Sequence, residues 1–599
     1  MRLASRFAAL LLGVVPACGG DSPATRSIHA LLLPECSVDD VQRIELEALD
    51  DLATRPASFA EVDPRGSTEL VALPPAARII LARGRSKDGV VVSLGVLRAD
   101  ADGGPAAGAL FHDGRACGIP LSDGSAAQFP PFIHPAIGAT DRYALLAGGR
   151  GADGSGRAEA IFIDGSRTEA TRLSAGMLHR RDYAVVLPLG ATLLVAGGRD
   201  DDHFWSDFEV LDTATRPLAF DRRALSLSEV RVESAGVVLT SGDGLLIGGM
   251  SNDGKALRSM EVIDARTFTT RIVDVATLGA ARRGPSAARL ATGDIAVVGG
   301  RDGPGAPVPD VEILTADARA ARAIAFGAHA SLDAIALPSG ALLIASTDPP
   351  LATIDLWLVR LDGTVEALAS APAGGRAPRW LPGTDGAPFL WDGIFRRFDP
   401  WNATLVDAQL PIALVPDPDI DPFVPTPGVI ATARIVDGRL SFLATRYDVR
   451  TELTTDETLG LGSTAHLSPD RHDGIVVNRS GIELPGGARL AITDVTFAAF
   501  TLRLGGGGRE LPDVELRDEQ GALVTRIGEG ALAGCAWPPG LAETTAEVVR
   551  SETGAIEVRV GKVSVVCAPP TAALRRVSIT LVASSSAASI HGITVSRGG

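Results

Sequence analysis

The sequence of 599 residues predicts an all-β protein: a sheet unit repeated along the first two thirds, then a second β unit without the repeat. Three observations carry this. An apolar run ending in two glycines and a charged loop occurs four times: ALLAGGRGADG at Gly148 and Gly149, LLVAGGRDDD at Gly197 and Gly198, LLIGGMSNDG at Gly248 and Gly249, and IAVVGGRDGPG at Gly299 and Gly300. The second glycines stand 49, 51 and 51 residues apart, and a fixed period near 50 marks one supersecondary unit repeated side by side. The 67 glycines and 39 prolines point to many turns between short strands. Beyond residue 429 the period vanishes, yet short alternating runs persist, such as FTLRLG from Phe500 and RVSITLVA from Arg576.

Each repeat reads as four strands. In the clearest, DYAVVLPLG and ATLLVAGG form an inner hairpin turning at Gly190, and DFEVLD and RPLAFD form the outer pair. The third strand recurs at Ile161, Glu209, Glu261 and Val311. A strand that bends close to another backbone has no room for a Cβ, which accounts for the glycines. Period and glycine pair together resemble the kelch repeat of β-propellers, the galactose oxidase-like class. The chain departs from that pattern after the glycines, where Phe208 and Met260 stand in place of the family's tyrosine and tryptophan. Weaker copies around Gly84, Ser346 and Asp392 bring the expected count to about seven blades between Thr68 and Leu410, with 27–62 a candidate for closing the last blade.

The N-terminus, MRLASRFAALLLGVVPACGG, has a basic start, an apolar stretch too short to span a bilayer, and Val15-Pro16-Ala17-Cys18, which resembles the lipobox of bacterial lipoproteins. That resemblance implies a signal peptide over 1–18, acylation of Cys18, a tether over 19–26, and export to the cell envelope; Gly19 after the cysteine implies the outer membrane. In an oxidising compartment the other four cysteines, Cys36, Cys117, Cys535 and Cys567, admit three pairings. Sequence proximity favours Cys36 with Cys117 and Cys535 with Cys567. No CxxC suggests redox or zinc chemistry.

The expected domains are therefore a propeller over 27–410, a proline-rich linker over 411–428, and a β-sandwich over 429–599 that looks like a laminin-G or concanavalin-like jelly roll. Asp417, Asp419 and Asp421 alternate in the linker, without the glycine turn or following glutamate of an EF-hand.

Catalytic signatures do not surface. HExxH, GxSxG and Walker A are absent. Gly149, Gly151 and Gly154 satisfy GxGxxG, but between strands and without the helix that would hold a pyrophosphate. The three tyrosines, Tyr143, Tyr183 and Tyr447, do not suggest a galactose-oxidase copper site, and the SNDG at Ser251 lacks the rest of a sialidase box. No cofactor and no metal is expected.

What remains is the loops that follow the glycine pairs: Arg150 and Asp153; Arg199, Asp200, Asp201, Asp202, His203 and Trp205; Asn252 and Asp253; Arg301 and Asp302. Repeat geometry places them on one face. The arginines could contact a ligand or could lock the ring by pairing with an aspartate of the next blade, and Trp205 could serve as a stacking platform for a sugar. A net charge of −16 disfavours nucleic acid as a partner. The expectation is a non-catalytic binding platform for an envelope protein or glycan. The alternatives are a carbohydrate-active enzyme using Asp200–Asp202 with Glu209, and a structural component of the outer membrane.

Overall fold

The computed structural model describes residues 25–597 apart from 33–40, 50–57, 63–69, 73–78, 99–105, 120–131, 447–466, 470–474, 507–510, 519–522, 529–534, 538–544, 568–576 and gaps of one to three residues. The described chain is all-β and carries no helix. Its regular elements are short strands in antiparallel sheets, with one parallel pairing, Thr25–Leu32 beside Ala106–His112.

Seven of these sheets share a plan of four antiparallel strands paired in order, successive in the chain in the first six, the fifth sheet carrying one further short strand. The first sheet begins at Ala136–Ala139, the second at Val185–Leu189, the third at Ala235–Val238, the fourth at Ser286–Arg289, the fifth at Ser331–Ala336 and the sixth at Arg379–Leu381. The seventh joins Phe423–Thr426, Val429–Val436 and Arg439–Arg446 to Cys117–Ile119, a strand from more than 300 residues earlier. Side chains alternate across each strand, so one strand feeds two cores. In Ala160–Asp164, Ala160 and Phe162 pack with Leu193 and Val195 of the second sheet, whereas Ile161 and Ile163 pack with Ala431 and Phe442 of the seventh. Every consecutive pair of sheets shares such a core, and the seventh shares one with both the sixth and the first.

Three expectations about the ends of the repeat are corrected. Gly84 lies inside the strand Ile79–Arg85, where the register against Val91–Arg98 shifts, and not at the end of a strand, in a seven-stranded sheet formed by strands between Thr25 and His112. The segment 27–62 contributes strands to that sheet, and Cys117–Ile119 supplies the fourth strand of the seventh sheet instead. The proline-rich stretch is not all linker: Phe423–Thr426 is the outermost strand of its sheet, where the missing N–H of Pro425 need not break a ladder. The repeating sheets thus run to Arg446, past the boundary expected at 429.

From Leu467 onward the chain forms one sheet of five strands and one of seven. Their apolar faces meet in a single cluster that includes Leu490, Leu516 and Ile579 from the first and Leu502, Val548 and Ile590 from the second. Cys535 and Cys567 form a disulfide with Cα atoms 5.3 Å apart. Cys117 is also disulfide-bonded, while Cys36, expected as its partner, and Cys18 lie outside the described residues.

Candidate binding face at the glycine-pair loops

Each glycine pair ends the second strand of its sheet in left-handed backbone, with φ of 66° and 88° at Gly148 and Gly149, 61° and 86° at Gly197 and Gly198, 59° and 103° at Gly248 and Gly249, and 60° and 82° at Gly299 and Gly300. A Cβ at Gly148, Gly197 or Gly248 would come within 2.3, 2.2 and 2.6 Å of the carbonyl oxygens of Arg181, Arg231 and Arg282. These three arginines, 50 and 51 residues apart, are at most 1% exposed. The carbonyl of each accepts the N–H of the preceding pair's second glycine, at 2.7, 2.9 and 2.8 Å for Gly149, Gly198 and Gly249. Their Nη1 groups donate to the first-glycine carbonyls of their own sheets, Gly197, Gly248 and Gly299, at 2.7, 2.9 and 2.8 Å. Each guanidinium also pairs with a buried carboxylate, Glu209, Glu261 or Glu312, at 3.1, 3.2 and 2.7 Å. Burial pulls the Arg231 pKa below its ordinary value, only partly offset by Glu261 and Glu229.

This arginine–glutamate–glycine lock was not singled out in the sequence, although the arginines and glutamates repeat with the period of the glycines. Glu209, which the sequence offered as a possible acid or base, is part of this lock and accepts from Leu178 N, His179 N and Arg181.

The loops beyond the glycines are mostly closed upon themselves. Asp153 accepts from Ser155 N and Oγ and pairs with Arg157; the Ser155 hydrogen bonds lower its pKa. Asp200 accepts the N–H groups of Asp202 and His203, which outweigh its burial and hold its pKa down. Lys255 and Ser251 lower Asp253 to about 2, and Asp302 accepts from Ala306 N. Asp201, Asp202, His203 and Asn252 are exposed. Arg301 donates to the carbonyls of Gly305 and, in the approach to the fifth sheet, Ala330. Arg150 pairs with Asp182, a residue of the next sheet's approach, and that bond is the largest cause of its raised pKa. Trp205 is no open platform: its ring stacks on His179 at 3.8 Å and lies 5.4 Å from His203, and Nε1 donates to Arg180 O.

The residues two positions before the first strands of sheets one to four, His134, Tyr183, Glu233 and Gly284, all have left-handed backbone, at φ 51°, 56°, 55° and 64°. Glu233 N donates to Tyr183 O and Gly284 N to Glu233 O, at 3.1 and 2.8 Å, which links neighbouring sheets along this rim. Tyr183 is 40% exposed, with the Arg150 and Arg199 guanidiniums 5.9 and 5.5 Å from its ring centre. Glu233 pairs with Arg283 at 2.7 Å. Sequence reasoning missed Tyr183 and Glu233, because a left-handed non-glycine has no residue-type signature.

The opposite ends of the sheets, the turns between first and second strands, meet the C-terminal unit. Arg489 Nε donates to Ser339 O at 2.8 Å and Arg517 Nη1 to Thr292 O at 3.5 Å, and both arginines pair with Glu515. Among the described residues, no group of three or more His, Cys, Asp or Glu could hold a metal ion. No protein-family model matches the chain, and no curated protein gives a significant sequence match.

Proposed function

We propose that the seven repeated sheets are the blades of a kelch-type β-propeller, with the C-terminal pair of sheets a jelly-roll-like β-sandwich, and that the protein is a lipid-anchored envelope component. In this reading the propeller is a non-catalytic platform that binds a protein or glycan through its glycine-pair loops. The unbroken cycle of shared cores supports the propeller, and Cys117–Ile119 then joins the two ends of the ring. The observation that carries the function is the position of the C-terminal unit: its contacts through Arg489 and Arg517 fall on the turns opposite the glycine pairs, leaving the loop face to a partner. Loops that vary over a rigid ring suit recognition. Engagement of Glu209 by Arg181 disfavours the hydrolase alternative.

The test is a glycan-array and envelope pull-down screen with the chain from Ser27 onward, repeated with 200–205 replaced by a short Gly/Ser turn. Loss of binding with the loop places recognition on that face; unchanged binding moves it to the C-terminal unit. Acylation is checked by mass spectrometry, where Cys18→Ala should abolish both the lipid adduct and membrane association.

A further inference from the structure

Many charged side chains on the loop face are satisfied by partners within the chain, and Arg199 is one that is not. Its guanidinium lies 5.5 Å from the Tyr183 ring centre and 5.9 Å from that of Phe204, yet it makes no hydrogen bond or ion pair among the described residues, and Nε is buried without a partner. Beside it, the backbones of Arg199 and Asp182 exchange both hydrogen bonds, at 2.9 and 2.7 Å. The Asp182 side chain is 2% exposed; one carboxylate oxygen takes Arg150, while Oδ1 has no partner. A folded protein leaves few buried donors and acceptors unmet, and such groups are candidates for a ligand. Aromatic contacts fix the position of a guanidinium without using its in-plane N–H groups, which remain a planar fork matched to a carboxylate.

The surroundings narrow the ligand. Arg150 is committed to Asp182, whereas the Arg199 guanidinium is committed to no carboxylate among the described residues; Arg199 is paired through its backbone with Asp182 and followed in the chain by Asp200, Asp201 and Asp202, with Asp201 close enough to add to the field at Arg150. Several ligand anions would be repelled there, whereas one carboxylate accompanied by hydroxyl groups would be met, the carboxylate by Arg199 and the hydroxyls by the aspartates. We propose that Arg199, Tyr183 and Asp182 form a subsite for a single uronic acid residue within an otherwise neutral glycan. This rests on the platform reading and specifies its ligand class.

The experiment is calorimetric titration of the chain from Ser27 onward with disaccharides carrying one uronate, each beside its neutral counterpart: cellobiouronic acid against cellobiose, and galacturonyl-rhamnose against galactosyl-rhamnose. At least one acidic sugar should bind about tenfold or more tightly than its neutral partner, as a charge-assisted hydrogen-bond pair implies. Arg199→Ala should abolish that preference, and Arg199→Lys, which keeps charge but loses the fork, should restore only part of it. Arg223→Ala, remote and exposed, should leave it unchanged, and unfolding midpoints report whether each variant is folded. Equal affinity for acidic and neutral sugars, or a preference that survives Arg199→Ala, overturns the subsite while leaving the platform reading intact. Tighter binding of tetraglutamate than of either uronate overturns the sugar assignment in favour of an acidic peptide. No binding of any of these overturns the subsite, and the platform reading falls with it only if the loop-replacement screen is also empty.

Discussion

Sheets two to four and sheets five to six solve the same problem differently. In all of them the second strand must stop, turn sharply and satisfy buried backbone groups. Sheets two to four do so with glycine pairs and a buried arginine–glutamate couple, three times over. The series breaks at Gly299, where an added Cβ would meet the Leu332 side chain instead of an arginine carbonyl. In the fifth sheet the second strand ends at the buried Ser346 and Thr347: Thr347 Oγ1 donates to Thr353 O, and Ser346 Oγ accepts from Trp357 Nε1. In the sixth, the buried Asp392 accepts from Gly374 N, Ile394 N and Arg396. The link across these sheets is Asp333, which accepts from Ser286 Oγ on the fourth sheet and Trp380 N on the sixth. The lesson is that a sheet of this plan needs its turn groups satisfied and does not require one particular set of residues to do so.

The largest effect that separates the two solutions is removal of a lock arginine. Arg231→Ala strips partners from Glu261, Glu229 and the Gly248 carbonyl, all in contact with a side chain that is 0% exposed. Deleting one member of a buried, hydrogen-bonded ion pair costs about 3–5 kcal/mol, because the other charge stays behind. Arg223→Ala, which breaks an ion pair whose arginine is 62% exposed, should change stability by less than about 1 kcal/mol. Chemical denaturation of both variants measures the contrast, and near-equal losses would mean that the lock is not what holds sheets two to four.

The same contrast explains what could be read from the sequence. The glycine pairs were legible because the backbone geometry there excludes side chains, so the requirement is written as a residue type. The arginines and glutamates share that period and were equally open to detection, but a charge in an apolar pattern draws attention to surfaces. Sheets five and six were faint because serine, threonine and aspartate can each cap a turn. Cys117–Ile119 could not be found at all: three residues carry no period, and their partners Ala444, Leu443 and Phe442 lie more than 300 residues further along the chain. The charged loops could be located from the glycine pairs they follow, whereas their internal hydrogen bonds, and the covering of Trp205 by His179, depend on geometry that sequence spacing does not contain.

A second, smaller effect divides sterics from backbone preference within the lock. Gly197 and Gly190 have nearly the same φ, 61° and 60°, but a Cβ at Gly197 would meet the Arg231 carbonyl at 2.2 Å and one at Gly190 would meet nothing within 4 Å. Gly190→Ala should cost about 1 kcal/mol from the left-handed conformation alone. Gly197→Ala should cost that and roughly 1–3 kcal/mol more, since the carbonyl it strikes is held by Gly198 N and has little freedom to retreat. Thermal unfolding of the two variants gives the difference directly, and equal losses would assign the glycine requirement to φ alone.

The smallest expected effect lies where sheets four and five meet the C-terminal unit, and it depends on pH. Glu515 is buried, which by itself would raise its pKa, but the hydrogen bond from Arg489 and the charges of Arg489, Arg517 and Arg526 outweigh burial and lower it. A carboxylate with a depressed folded-state pKa contributes stability that is complete above its ordinary value, near 4.3, and is lost as the pH falls through the folded value. Acidification below about pH 4 should therefore loosen the contacts of Arg489 with Ser339 and of Arg517 with Thr292. Hydrogen exchange at the turns around Thr292 and Ser339 should accelerate in that range beyond the intrinsic pH dependence, while the Gly198 amide, held by the Arg231 carbonyl at the other end of the sheets, should not follow. Glu515→Gln should remove the pH dependence at these turns by making the contact weak throughout. If the variant keeps it, the docking is governed by another acid, and the division between a charged docking end and a self-closed loop end needs redrawing.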